Sequence, residues 1–321
     1  MRRLLLTCFA LPALPFVQLS TSCLGRRFAQ RRWALSVDLE RSEMWDIHLD
    51  KPGHIPQKVL DQAAEAIRTG GFALVRGPCF SDAGLARAQA LAEEELSKVK
   101  SQAEQLGLAS LAPWARPKPS LGAGNLFRFQ EGASFSSGRL DMPLKSGTGA
   151  LASREDLKEL CEKLFRAPCV HSGRGAFWNF PNSGPEHWHR DGQLPLLTAV
   201  TVAKGYPKNA GFLRLQPFTH HGAIDEDADS HREPKVRAEV HAGESERVAA
   251  ILQPGDLLLF LYSTKHAAVP NLSDQDRCLL YSVYGPENVQ DEINCCDGRP
   301  SLKTYSKAEA EILLMMANAL Q

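Results

Sequence analysis

The sequence carries no surplus charge of either sign, because its 321 residues set 37 Lys and Arg against 37 Asp and Glu. No general field draws the chain to a polyanion, so nucleic acid is not an implied partner. A membrane-length apolar run is also missing. The run LLLTCFALPALPFV near the start has 14 residues and is interrupted by Pro12 and Pro15, whereas a spanning helix needs about 20. No membrane span is expected in the mature chain. There is no CxxC pair and no internal repeat. Cys8 and Cys23 lie near the start, and Cys79, Cys161, Cys169, Cys278, Cys295 and Cys296 show no regular spacing, so the thiols are read as free and the compartment as reducing. Acidic residues are absent from Met1 to Val37, where Arg2, Arg3, Arg26, Arg27, Arg31 and Arg32 supply positive charge. That bias reads as a removable targeting segment over 1–37, serving import into an organelle (plastid or mitochondrion), with secretion as the alternative.

What remains, 38–321, is expected to be a single domain, since 43% hydrophobic and 23% charged residues are ordinary for a chain that buries a core. Three helices are predicted in its first part, 56–165. Val59, Leu60, Ala63 and Ile67 mark one helical face after Pro56, and Gly70-Gly71 ends it. Ser81 and Asp82 cap a longer helix with Leu85, Ala92, Leu96, Val99 and Leu106 on one side, and Gly107 stops it. Ser153 and Asp156 have the form of a capping box before Leu157, Leu160, Cys161 and Leu164. FALVRG lies between the first two as a short strand. The Pro-, Gly- and Ser-rich stretch 108–149 reads as loop with short strands at NLFRF and GRLDM.

Over about 169–285 the period changes. CVHSGRGAFWNF, LLTAVTVAKG, AGFLRLQPF, ERVAAILQ, DLLLFLY and RCLLYSVYG are strand-like runs separated by turn residues, which predicts a sandwich or barrel and not a parallel α/β sheet. IDEDADSHREPK at 224–235 reads as a solvated loop, and Ser306 with Glu309 as a capping box for a C-terminal helix over about 306–320.

The chemistry concentrates in GPEHWHRDGQ at 184–193. Residues two apart on an extended chain point the same way, so His189 and Asp191 can converge on one ion while Arg190 faces away. Two imidazoles and one carboxylate suit a divalent iron that must keep open positions for oxygen, so a third ligand is needed from a distant strand. Downstream, a Pro-Gly turn precedes an apolar strand, then His266, then Arg277 at the head of another apolar strand. Arg277, Leu279, Tyr281 and Val283 share a face. A buried guanidinium among them is costly without an anion, and a ligand carboxylate is the expected partner.

In WHRD at 188–191, NAGFLRLQPFTH at 209–220, the turn NFPNSG at 179–184, and PGD through His266 to Arg277, the sequence resembles the phytanoyl-CoA dioxygenase family of iron- and 2-oxoglutarate-dependent oxygenases. The resemblance covers roughly 56–285. It implies a mainly β fold with flanking helices, a double-stranded β-helix (jelly roll, cupin-like). It further implies Fe(II) held by His189, Asp191 and His266, 2-oxoglutarate bound through Arg277, O2 as cosubstrate, and hydroxylation of a small organic or acyl substrate with release of succinate and CO2. Trp178, on the strand feeding the site, is a candidate for the cosubstrate pocket. The chain departs from the family pattern in having Thr198 and Thr201 where an aromatic is common, and Ala268 where a hydroxyl can stand two residues past the distal histidine. These departures motivate an alternative, a metal-binding barrel without turnover that serves as a binding or regulatory module; a zinc hydrolase with the same ligands would leave Arg277 unexplained. His187 is read as a pocket neighbour of the ligands, His220 and His221 as structural, and Arg128, Arg139 and Asp141 as either substrate-reading groups or surface charges.

Overall fold

Apolar, β-rich runs too long to stay in water and too short to cross a membrane have one outlet, stacking into sheets with helices over the exposed face. The computed structural model describes residues 45–49, 53–115, 138–144, 149–186, 188–220, 248–289 and 291, with helical positions at 307, 308, 310–312 and 315. The proposed targeting segment, NLFRF, Arg128, His187, His221, the acidic 224–235 stretch and the Ser306/Glu309 pair lie outside them. Among the described residues no helix is long and apolar enough to cross a membrane.

Among the described residues, ten strands make two sheets. β1 (Asp46–His48), β2 (Phe72–Arg76), β3 (Arg139–Pro143), β4 (Cys169–Asn179), β5 (Leu197–Thr201), β8 (Leu257–Leu261) and β10 (Arg277–Pro286) form the large one, in the order β1-β2-β8-β5-β10-β4-β3. All its pairings are antiparallel except β1 with β2. β6 (Leu213–Leu215), β7 (Val248–Ala250) and β9 (His266–Ala268) form the small sheet, order β7-β6-β9, which an isolated bridge between His189 and His266 widens by one more strand segment. This is the mainly β jelly-roll fold that the resemblance implied. β1 and β9 have three residues each, too few to show a period in the sequence.

The helices α1 (Gln57–Gly70), α2 (Asp82–Gln105) and α3 (Glu155–Phe165) sit where their apolar faces require. α1 buries Val59, Leu60, Ala63 and Ile67 and packs on β2 and α3; α3 packs on β10 and β4. At the end of α1, Gly71 takes φ 90°, a left-handed cap that L side chains rarely adopt. Its carbonyl accepts from the Leu261 amide at 3.0 Å and from the Thr264 hydroxyl at 2.8 Å, fixing the helix end to the strand leading into His266. Ser81 caps α2 as expected, accepting from the Gly84 amide at 3.1 Å.

The capping box expected at α3 does not form. Arg154 occupies the cap position and makes no side-chain cap bond. Asp156 instead turns into the protein, accepting from the Ile55 amide at 3.0 Å and pairing with the Arg154 guanidinium. A carboxylate that can satisfy a distant buried N–H and a cation together is better placed there than on the local turn.

Candidate metal centre

The backbone builds this site before any side chain enters. His189 N–H donates to the His266 carbonyl at 3.0 Å, and His266 N–H donates to the His189 carbonyl at 2.9 Å. This reciprocal pair places two residues remote in sequence directly opposite each other, with side chains on one face. Their rings lie 4.4 Å apart between centroids. Asp191, two residues along the same extended segment, points to the same side, with its amide held by the Tyr262 carbonyl at 3.0 Å. Asp191 Oδ1 is 3.7 Å from His189 Nε2 and 3.5 Å from His266 Nε2. One donor atom from each of the three falls within 4.8 Å of the other two.

The ligand set suits a metal in its hydrogen bonding as well as its spacing. His266 Nδ1 lies 3.0 Å from the Thr264 carbonyl. A carbonyl can only accept, so Nδ1 carries the proton and the Nε2 lone pair is left for an ion. Phe260 stands beside the ring, 4.8 Å away between centroids. His266 is buried, while His189 is 43% exposed on its side chain, so one flank of the cluster opens to incoming molecules. Arg190 turns away as its position in the alternation requires, donating through Nε to the Ser263 carbonyl at 2.8 Å and through Nη2 to the Thr219 carbonyl at 3.0 Å.

Arg277 lies on the inward face of β10, in register with Asn179 of β4. It is 3% exposed, and its Nη1 has no hydrogen-bond partner among the described residues. Burial, followed by the neighbouring Arg139 guanidinium and opposed by Tyr206, pushes its pKa down to about 10. It therefore stays charged at neutral pH with bonding capacity unused, as expected of an arginine that waits for an anion.

Trp178 belongs elsewhere. In the register it pairs with Cys278, one step from Arg277, so it projects from the opposite face of the sheet. There it lines a cavity of about 430 Å³ with Leu96 and Lys100 of α2 and with Lys204 and Tyr206. The expected place in the cosubstrate pocket is corrected on that ground: a one-residue step along a strand changes face.

The reading of Arg139 and Asp141 as mouth or surface charges also needs revision. Both lie on β3, a regular strand paired with β4. Arg139 is 1% exposed, with Nη2 donating to the Val269 carbonyl at 3.3 Å and Nε 3.7 Å from the Glu186 carboxylate. Asp141 accepts from the Tyr281 hydroxyl at 2.8 Å on the same inward face. His220 is structural in position, its Nε2 2.9 Å from the Arg68 carbonyl at the end of α1. Two inward groups, Asn179 and Glu186, were not singled out from the sequence, and Arg139 was placed on an irregular segment instead of a strand. The alternation of Arg139 and Asp141 with Leu140 and Met142 was the available signal, because it separates a polar from an apolar face.

The family model for phytanoyl-CoA dioxygenase (PhyH) matches residues 67–278, a span that contains all three clustered residues and Arg277. The chain belongs to the phytanoyl-CoA dioxygenase family. Within curated sequences it is similar to the dioxygenase peniF of Penicillium patulum, 29% identical over 144 residues, covering 39% of this chain and 42% of that protein. The match thus spans less than half of the relative's length. Among solved structures it is similar to the non-heme alpha ketoglutarate dependent epimerase SnoN from nogalamycin biosynthesis, with a TM-score of 0.45, 19% identity, and 72% of this chain and 84% of that one covered. AviO1 from Streptomyces viridochromogenes Tue57 gives a TM-score of 0.46 and 17% identity, with 72% and 96% covered.

Proposed function

We propose that this member of the phytanoyl-CoA dioxygenase family is a non-haem Fe(II)- and 2-oxoglutarate-dependent dioxygenase that hydroxylates a small organic or acyl substrate. His189, Asp191 and His266 would hold the iron, and Arg277 the far carboxylate of 2-oxoglutarate. The observation that carries the reading is the convergence of two imidazoles and one carboxylate across a backbone bridge at the small sheet, with a buried arginine that has an unused N–H on the inward face of the large sheet. When bound, the iron and 2-oxoglutarate supply the oxidising power, with O2 consumed and succinate and CO2 released.

The chain's own residues do the rest. The Thr264 carbonyl keeps the proton on His266 Nδ1 and so keeps Nε2 a ligand. Asp191 supplies the one negative charge that partly offsets a divalent ion. Leu279 and Val283 of β10, together with Leu196 and Phe260, are buried and line the interior with apolar surface, which limits water around the reacting atoms.

Anaerobic titration of Fe(II) and then 2-oxoglutarate tests the reading through the metal-to-ligand charge-transfer absorption. His266→Ala should lose iron, by about tenfold or more in affinity, since a whole ligand goes. Arg277→Ala should keep iron and weaken 2-oxoglutarate. Iron binding at full stoichiometry in the His266 variant, or a 2-oxoglutarate titration unmoved in the Arg277 variant, would sink the assignment. Succinate formed from 2-oxoglutarate under O2 separates a working enzyme from a barrel without turnover, and full activity with zinc in place of iron would favour a hydrolase.

A further inference from the structure

Three buried N–H donors that make no hydrogen bond among the described residues stand in one row. Arg139 of β3 is in register with Asn179 of β4, and Asn179 with Arg277 of β10, so the three side chains leave adjacent strands on the same inward face. Their exposures are 1%, 0% and 3%. Arg139 Nε, Asn179 Nδ2 and Arg277 Nη1 each lack a hydrogen-bond partner among the described residues. Asn179 Oδ1 accepts from the Ser183 hydroxyl, which assigns the idle end of the amide as the NH2.

Two guanidiniums share this interior with two carboxylates: Asp141, which accepts from the Tyr281 hydroxyl at 2.8 Å, and Glu186, whose Oε1 is 3.7 Å from Arg139 Nε and whose Oε2 accepts from the Ala268 amide at 2.9 Å. Neither carboxylate comes within hydrogen-bond distance of the idle donors. Burial lowers the pKa of both arginines, and Arg139 adds to the lowering at Arg277. Buried donors left idle are costly, and an anion with several acceptor sites satisfies them together; a carboxylate offers about four.

We propose that Arg139 and Asn179 complete, with Arg277, a three-donor row that grips the far carboxylate of 2-oxoglutarate. The proposal rests on the iron and 2-oxoglutarate reading above. The Ala268 amide holds Glu186, and Glu186 steadies Arg139. Glu186 is a positioning residue that also competes with the incoming anion, so the two side chains should have opposite effects when altered.

The test is anaerobic titration of the Fe(II)-loaded full chain with 2-oxoglutarate and with 2-oxopentanoate, the five-carbon 2-oxo acid in which a methyl group replaces the far carboxylate. The readout is the charge-transfer absorption. Arg139→Gln should weaken 2-oxoglutarate by about tenfold or more, the worth of one charge-assisted hydrogen bond, and leave 2-oxopentanoate nearly unchanged. Glu186→Gln should tighten 2-oxoglutarate, because the anion no longer competes with a fixed carboxylate. Should Arg139→Gln fail to fold, Arg139→Lys, which keeps the charge but loses the fork, should lose the same selectivity in smaller degree. Equal losses for both oxo acids, an unmoved 2-oxoglutarate affinity, or weakening by Glu186→Gln would overturn the proposal. If the native chain binds iron and gives no absorption with 2-oxoglutarate, the cosubstrate reading itself has failed and the row falls with it; a normal native titration with unaltered variants strikes the row alone.

Discussion

His171 illustrates how a single side chain can set an acid limit. Its Nδ1 lies 3.0 Å from an Arg174 Nη2, and its ring stacks on Tyr284 at 4.7 Å between centroids. Burial first, and the Arg174 charge second, lower its pKa from 6.5 to about 4. The folded state therefore prefers the neutral ring more than the unfolded chain does. Its contribution to stability is complete above about pH 6.5 and is lost as the pH falls towards 4. His171→Phe keeps a ring on Tyr284 and should flatten that part of a urea-midpoint profile measured between neutral pH and mild acid; an unchanged slope would count against the account. Gly175 is the second case. A Cβ at this position would collide with the Tyr281 hydroxyl, which lies over it and donates to Asp141 at 2.8 Å. Gly175→Ala should cost about 1–3 kcal/mol of unfolding free energy by overpacking, and Tyr281→Phe in the same chain should recover part of it.

At the scale of elements, local signals were legible where they were long. The apolar faces of α1 and α2, the cap at Ser81 and the longer strands all follow from spacing and turn residues near at hand. Ser81→Ala should lower stability by about 1 kcal/mol, read as a shifted denaturation midpoint with unchanged slope. Where a residue answers to distant chain, the local rule failed. Asp156 leaves its predicted cap because the Ile55 amide, far away in sequence, and Arg154 offer more. The row of Arg139, Asn179 and Arg277 was invisible for the same reason, since cross-strand register depends on pairings that no window of sequence contains. His189, Asp191 and His266 were legible as candidates because a family-like spacing of ligand residue types survives in one dimension; Trp178 was not, because its face depends on register.

For the molecule as a whole, ligand binding should report on folding. Anything that binds the native state alone stabilises it, by about 2.7 kcal/mol at a hundredfold excess over its dissociation constant. Fe(II) followed by 2-oxoglutarate should thus raise the melting temperature in two steps, the second absent in Arg277→Ala. The equal counts of acidic and basic residues further imply that association with a neutral substrate should depend little on salt. The sheet order carries a topological consequence. β8 lies between β2 and β5, β10 between β5 and β4, and β6 between β7 and β9, so strands from before residue 221 and after residue 247 interleave in the middle of the large sheet and across the small one. Like the teeth of a closed zip, neither portion has a sheet it can call its own. Severed between those points, the polypeptide should remain one particle, and the two pieces made separately should recover iron uptake only when mixed.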